Sequence, residues 1–309
     1  MSEDGVAPVV AVMLILAVVV TFFAAWNAYY VPSMKAQSEI AHIKDVESGF
    51  LRFSSDIETA VSLKRNVKLS EPLPLGGGDF LFDPVRSGGE IKVYNASPDG
   101  YLRLNWTGEK SLENPDHFLN LVAFSYKPVN NFWQNQGYGW KNGIVYVFNS
   151  ERNLTTPLKD AKPDDITYDL AGILVEIEPV ELYSDPPGNC SALIVRTVNI
   201  TPDTKYNRVS GNGNAMLALN SSSPPTIPRV TVPQATSLNL TIMNPPSRFS
   251  SSLWGSVNDS VENMRATCAN VERPLIDPAK REIRLTFKPA PYPSLTLISE
   301  TTEITVKAY

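Results

Sequence analysis

Residues Val6–Val31 read VAPVVAVMLILAVVVTFFAAWNAYYV, and no charged side chain occurs from Gly5 to Met34. At 1.5 Å per residue, this run would form an α-helix about 39 Å long, enough to cross a hydrocarbon core of roughly 30 Å with some tilt. A buried core helix rarely lacks charge over such a length. We therefore predict that residues 1–31 form a transmembrane N-terminal helix in contact with membrane lipid.

The two ends of the apolar run fit this prediction. Pro8 falls in the first turn, where its missing N–H costs little. Trp26, Tyr29 and Tyr30 cluster at the other end, as aromatic side chains do at a membrane interface. A cleaved signal peptide is the main alternative, but it would have a basic start and a shorter apolar stretch. We expect the segment to be retained as a single-pass anchor.

A second helix is predicted over residues 32–64. Apolar residues recur there at intervals of three or four, which indicates one apolar stripe. Pro32 and Ser33 separate the two helices and are expected to kink the chain. The stripe could pack on the chain's own β domain or between subunits, and both are compatible. The positions expected to serve assembly through the two helices are Val6, Pro8, Val12, Leu16, Phe22, Phe23, Ile40, Ile43, Phe50, Phe53 and Ile57.

Eight Asn-x-Ser/Thr sequons, all after residue 90, suggest that the part beyond the membrane helix is outside the cell. They are more frequent than the composition would give by chance. Flanking charge gives only a weak opposite signal, because long domains cross a membrane largely regardless of it. The candidate glycosylation sites are Asn95, Asn105, Asn153, Asn189, Asn199, Asn220, Asn239 and Asn258.

Two cysteines, Cys190 and Cys268, are the whole cysteine content of the chain. In an exported protein they could form a disulfide, which would stabilise the fold by roughly 4–5 kcal/mol in the chain-entropy account of so long a loop. In a cytosolic protein two lone cysteines would more often be buried thiols. Together with the sequons, the pair favours the disulfide.

After Arg65 the pattern changes to short apolar runs bounded by Gly, Pro, Asn or Asp, which is typical of strands. The predicted strands are Ile91–Tyr94, Tyr101–Asn105, Leu121–Tyr126, Gly143–Phe148, Gly172–Ile177, Ala192–Val198, Ala215–Leu219, Ser237–Met243, Glu282–Phe287, Leu295–Ser299 and Glu303–Ala308. The Asn142-Gly143 pair precedes a β-branched run and predicts a hairpin. Residues 252–266 predict one helix. The predicted fold class is α+β, with a long N-terminal helix followed by a mostly antiparallel, sandwich-like outer domain. Residues 65–220 form this β-rich domain, and residues 221–309 form either a second β lobe or its continuation.

The composition argues against several classes of function. No basic block interleaved with aromatic residues occurs, so no nucleic-acid partner is expected. With two histidines, His42 and His117, and two cysteines, no clustered metal or haem ligands are present, and no cofactor is predicted. There is no Gly-x-Ser-x-Gly motif, and only His117 lies outside the helical segments and could serve a triad. We predict that the chain is not an enzyme.

The N-terminal residues carry a family resemblance. The segment Gly5-Val6-Ala7-Pro8-Val9-Val10-Ala11-Val12-Met13-Leu14 resembles the opening of archaeal type IV pilin-like proteins, and Val31–Ile57 is similar to the stalk of a membrane-anchored subgroup. The likeness continues weakly through Leu73–Gly78, Phe132–Phe148 and the helix at Trp254. It touches most of the chain, but only the first 60 residues are specific.

The resemblance implies a non-catalytic cell-surface subunit. Such a protein is inserted through its N-terminal helix, exposes its outer domain, and can assemble with copies of itself or other pilins into a type IV pilus-like filament. Residues 65–309 are large for a major pilin, which favours a minor or tip pilin, or a stationary surface protein. The alternative is a membrane-anchored surface glycoprotein that does not polymerise and binds envelope components or external ligands.

Overall fold

The computed structural model describes residues 6–76, 87–108, 116–129, 135–149, 154–158, 170–181, 188–224, 229–243, 247–289 and 294–309. Within them the protein is α+β, with one long N-terminal apolar helix followed by a mostly antiparallel β-sheet domain. Two α-helices, α1 (Val6–Ala25) and α2 (Val31–Leu63), are joined by a π-helical turn at Trp26–Tyr30, and a third helix, α3, spans Arg248–Thr267.

The two predicted helices form one continuous helix, which runs through Pro32 and Ser33. Pro32 is the second residue of α2 and has no N–H to donate, so the helix lacks one backbone hydrogen bond at this point. The Val31 N–H donates to the Trp26 carbonyl, the wider bond of a π-helix. This wider turn lies directly before the proline, and the helix continues beyond it.

The strands of the β domain are short, apart from β10 and β16. Their bounds are β1 Val67–Pro74, β2 Gly88–Asn95, β3 Leu102–Gly108, β4 His117–Leu119, β5 Val122–Val129, β6 Gln136–Lys141, β7 Ile144–Asn149, β8 Leu154–Pro157, β9 Val175–Val180, β10 Ala192–Gly211, β11 Asn214–Ser222, β12 Val230–Val232, β13 Ala235–Ile242, β14 Leu275–Asp277, β15 Glu282–Thr286 and β16 Thr296–Ala308.

Among the described residues these strands form two sheets. The larger has the order β1-β11-β16-β10-β2-β5-β6-β7-β8, with β12 beside β16 and β9 beside β10. The smaller has the order β14-β15-β13-β3-β4. In the described part the pairing is antiparallel except for β10 with β16, which is parallel. A sandwich-like packing of the sheets stays a prediction.

Both sheets contain strands from residues 65–220 and from residues 221–309. The last strand, β16, lies between β10 and β11 in the larger sheet. In the smaller sheet β3 pairs with β13. The boundary near residue 220 stays a prediction, but the strands on its two sides are hydrogen-bonded neighbours.

Several local predictions are confirmed and others are wrong. The Asn142-Gly143 hairpin is present between β6 and β7, and both turn residues have positive φ. The helix predicted at 252–266 is α3. The two strands expected at 295–299 and 303–308 are the single strand β16, and the strand expected at 172–177 begins only at Val175, after a helical turn at 170–174.

Candidate functional site: the N-terminal helix and its docking surface

The first part of the N-terminal helix exposes apolar side chains on every side. From residue 8 to residue 30 every residue is exposed, including Pro8 and Val12. Leu16 is 64% exposed, Phe22 63%, and Phe23 is similar. A helix that is apolar all round belongs either in the core of a large protein or in a membrane. Here no part of the described chain covers it, and it is long and apolar enough to cross a membrane.

Aromatic rings lie in a row at the end of this apolar part. The rings of Phe22 and Trp26 have centroids 6.2 Å apart, and those of Trp26 and Tyr30 are 4.2 Å apart. These residues are separated by four positions, so they share one helix face. Tyr29 is fully outside this row and is also exposed. The Trp26 and Tyr30 rings combine an apolar body with a polar N–H or O–H group, which suits the boundary between lipid and water.

The second part of the helix docks on the chain's own β domain. Ile43, Phe50, Phe53 and Ile57 are all buried in one continuous core with residues of both sheets. The Phe50 and Phe53 rings lie 5.2 and 5.3 Å from the ring of Phe124 in β5. These four predicted assembly positions are therefore covered within one chain, which is the intrachain packing considered in the sequence analysis.

Ile40 lies at the N-terminal edge of this docking surface. It belongs to the predicted stripe, yet it is 42% exposed. Glu39 and His42, on either side of it, are buried. The predicted assembly positions that are exposed are therefore Pro8, Val12, Leu16, Phe22, Phe23 and Ile40. The side chain of Val6 lies outside the described residues.

Polar contacts fix the docked helix in register. Trp140 Nε1 donates to Ser54 Oγ at 2.8 Å, and Tyr138 Oη donates to Glu47 Oε2 at 2.7 Å. At the end of the helix Lys64 Nζ donates to Glu176 Oε2 at 2.7 Å, and this contact lowers the pKa of Glu176. Directional bonds of this kind select one rotation of the helix about its axis, which apolar packing alone would not.

His42 forms a buried polar contact near the N-terminal edge of the docking surface. Its Nε2 atom lies 2.9 Å from Tyr126 Oη, and that hydroxyl donates to the Leu75 carbonyl at 3.1 Å. Because a phenol has one proton to donate, His42 Nε2 carries the hydrogen in this pair. Burial lowers the pKa of His42, opposed by the charges of Asp45 and Glu39. The imidazole is therefore neutral at pH 7.

A close helix–strand contact lies at Gly49. A Cβ atom at this position would come within 2.1 Å of Cδ2 of Leu73 in β1. Leu73 is completely buried, so its side chain has little room to move. On the solvent side of the same contact, Arg52 forms an ion pair with Glu71 of β1 at 2.5 Å. Gly49 thus permits the helix to approach the sheet edge closely.

The predicted disulfide between Cys190 and Cys268 is present, with a Cα–Cα distance of 5.3 Å. It joins the end of α3 to the segment before β10. The Asn270 side chain strengthens the link, because it accepts from the Cys190 N–H and donates to the Cys190 carbonyl at 2.7 Å. The bridge is buried in the β domain.

The sequons differ in the environments of their side chains. Asn95 is exposed at the end of β2. The Nδ2 atoms of Asn105 and Asn199 donate to Asp116 and Glu303, at 3.0 and 2.7 Å. The remaining described sites are partly buried; they are Asn189, Asn220, Asn239 and Asn258. Asn153 lies outside the described residues. Because a glycosylated Nδ2 must face solvent, Asn95 is the most accessible of the described candidates.

His117, the histidine considered for a catalytic triad, is in contact with neighbouring side chains in the described part of the chain. His117 stacks on the Trp106 ring with centroids 4.5 Å apart, and burial lowers its pKa. Asp116 beside it accepts from Asn105 and lies 3.9 Å from Arg103. Within the described residues, no group of three or more His, Cys, Asp or Glu side chains is placed to hold a metal ion.

In comparisons with known proteins, no family model matches this chain, and no curated protein or solved structure shows significant similarity to it. The likeness to archaeal pilin-like proteins therefore stays a prediction that depends on the N-terminal residues.

Proposed function

We propose that this protein is a pilin-like cell-surface subunit with no catalytic role, held by its N-terminal helix in a membrane and then in a type IV pilus-like filament or its tip. The observation that carries the proposal is one unbroken helix, Pro8–Leu63, with two surfaces. Its first part exposes apolar side chains all round, and its second part docks on the β domain by one stripe.

The exposed part of the helix requires a non-aqueous partner. Covering one large apolar side chain stabilises a protein by about 1.5–3 kcal/mol, and α1 carries many such side chains. At 1.5 Å per residue, α1 is about 30 Å long, the thickness of a hydrocarbon core. Lipid can surround this helix before assembly, and helices of neighbouring subunits can surround it afterwards.

The β domain then lies outside the cell. Support comes from the disulfide, which persists in oxidising compartments, and from the exposed sequon at Asn95. A second candidate function is a stationary, membrane-anchored glycoprotein that binds envelope components or external ligands. The observation that favours it is the burial of Ile43, Phe50, Phe53 and Ile57 within one chain. Because these four side chains are covered, only the first part of the helix is left for contacts between subunits.

Immunogold electron microscopy of native cells, with antibody to the β domain, tests the proposal before and after shearing. Label along detached filaments or at their tips is the expected result. Label confined to the cell envelope in both samples would reject assembly and leave the stationary protein as the function.

Cysteine cross-linking in native membranes and filaments gives a matched second test. Copies with Leu16→Cys should cross-link to one another in filaments, because position 16 would face neighbouring helices. Copies with Leu51→Cys carry the thiol on the solvent side of the docked helix and serve as the control. Equal cross-linking at the two positions would mean that the first part of the helix does not form the contact between subunits.

A further inference from the structure

A pocket on the outer face of the larger sheet has the features of a ligand site. It lies over strands β1, β11 and β16 and has a volume of about 550 Å³. This volume is within the range of about 300–1,000 Å³ that is usual for small-molecule sites. The pocket is formed by one chain and is independent of the N-terminal helix, so this inference goes beyond the proposed function.

The floor of the pocket consists of side chains that alternate with the core. In β1, Lys68 and Ser70 point away from the face that carries the buried Leu73. The antiparallel register places Ser70 beside Ala218 of β11, and Ala218 beside Lys307 of β16. The small Ala218 side chain leaves a depression between the two lysine-bearing strands.

An irregularity in β10 builds one wall of the pocket. The register with β16 shifts between Pro202 and Asn207. Inside this segment Asp203 Oδ1 accepts from the backbone N–H groups of Lys205 and Tyr206, at 2.8 and 2.9 Å, and these bonds lower the pKa of Asp203. Bulges of this kind redirect a side chain, and this one places Tyr206 at the rim of the pocket.

Two tyrosine rings form a corner at this rim. Tyr206 is 42% exposed and Tyr309 is 52% exposed, and their ring centroids are 6.2 Å apart at an interplanar angle of 66°. Rings at this distance and angle leave no slot for a flat base to stack between them. They instead present two faces at a steep angle, which suits the puckered, C–H-rich face of a sugar ring.

The charges around the pocket favour an anion. Lys68 and Lys307 line it, and Lys205 lies 5.1 Å from the Tyr206 ring centroid. Asp203 is 3.3 Å from Lys307 and offsets one of these three positive charges. These four side chains together carry a net positive charge, on a protein whose net charge is −5. Ser70 and Asn220 add neutral hydrogen-bonding groups of the kind that sugar hydroxyls need.

We propose that this pocket binds an acidic saccharide, with sugar rings packed on Tyr206 and Tyr309 and carboxylates paired with Lys68 and Lys307. Asn220 is also a sequon, and a glycan attached there would fill the same space. The binding experiment therefore uses the full chain in detergent micelles, produced in a host that does not glycosylate asparagine.

Calorimetric titration with hexagalacturonate, with the neutral hexamer maltohexaose and with ATP tests the proposal. We expect saturable binding of the acidic hexamer and at least about tenfold weaker binding of the neutral one. Tyr206→Ala should weaken binding of the acidic hexamer by about tenfold, because an exposed aromatic anchor is lost. Lys68→Gln should weaken it by about fivefold, an effect that added salt reduces.

The matched control is Lys92→Gln. Lys92 is also an exposed lysine near a tyrosine ring, 5.8 Å from the centroid of Tyr94, but it lies on β2 outside the pocket. Its loss should leave binding unchanged, and circular dichroism should show the same fold for all three variants. Equal binding of the two hexamers, binding insensitive to Tyr206→Ala, or preferential binding of a nucleotide such as ATP would overturn the proposal. None of these outcomes bears on membrane attachment or assembly.

Discussion

The two parts of the N-terminal helix share one backbone but differ in what surrounds them. Phe22, in the first part, is 63% exposed, whereas Phe53, in the second, is completely buried against the β domain. Both are phenylalanines on the same helix. The difference arises because the first part has no polar face, while the second has one apolar stripe that packs on the sheet surface. Helix formation and helix docking are therefore separate properties here.

The largest expected effect comes from truncating the docked ring. Phe53→Ala should lower the free energy of unfolding of the β domain by about 3–5 kcal/mol, since it leaves a cavity beside Phe124. Phe22→Ala should leave this free energy unchanged. Guanidinium unfolding in detergent, followed by near-ultraviolet circular dichroism, compares the two variants. Similar losses for both would mean that the first part also packs on the β domain.

Membrane attachment should be more sensitive to a new charge in the first part of the helix than in the second. Leu16→Asp places a carboxylate in the middle of the apolar part, which costs about 2.5–3.5 kcal/mol of membrane insertion at a helix centre. We expect the variant to lose its membrane attachment, measured by flotation of native membranes after carbonate washing. Leu51→Asp, at an exposed position of the docked part, is the control and should stay attached.

Two helix glycines should respond in opposite directions. Gly49→Val should destabilise the docked state by about 1–3 kcal/mol, because the new side chain overlaps with the buried Leu73. Gly255→Ala in α3 meets no atom within 4 Å and should stabilise the protein by up to about 1 kcal/mol. Thermal unfolding of both variants measures the difference. A stabilised Gly49→Val protein would show that the helix does not approach β1 closely.

The smallest effect is a pH dependence of docking. Burial lowers the pKa of His42 below its ordinary value of 6.5, so below that pH the unfolded chain binds more protons than the folded one. The contribution is complete above about pH 6.5 and is lost as pH falls through the lowered pKa. For one proton the slope is at most about 1.4 kcal/mol per pH unit.

His42→Gln tests this dependence, since its amide can still donate to Tyr126. The free energy of unfolding, measured between pH 5 and 8, should change less steeply in this variant than in the original protein. The lowered pKa of His117 contributes in the same direction, and His117→Gln therefore serves as the comparison. An unchanged slope in His42→Gln would assign the dependence to other groups.

The strands of the β domain could be predicted only in part from the sequence, and the reasons can be named strand by strand. The Asn142-Gly143 hairpin was predictable because its turn chemistry is local. Strand β1 was missed because it contains Pro72 and Pro74, which are tolerated there since β1 is the edge of the larger sheet. β16 was divided in two because the polar segment Glu300-Thr301-Thr302 interrupts its apolar pattern, although the parallel pairing with β10 continues through it.

The candidate site shows the same limit. Periodicity identified the stripe from Ile40 to Ile57, but it left open whether the β domain or a neighbouring subunit covers it. The pocket proposed to bind a saccharide had no sequence signal at all, because Lys68, Tyr206 and Lys307 are far apart in the chain and meet only through the strand order.

The sequence by itself determined the properties that depend on local composition: an uncharged apolar helix, an amphipathic continuation, a tight hairpin and a single possible cysteine pair. Only the tertiary structure decided that the helix passes Pro32 unbroken, that its stripe is covered within one chain, and that β16 lies beside β10 and β11. The physical reason is that backbone preference and side-chain polarity act over a few residues, whereas sheet order and docking depend on contacts between distant segments.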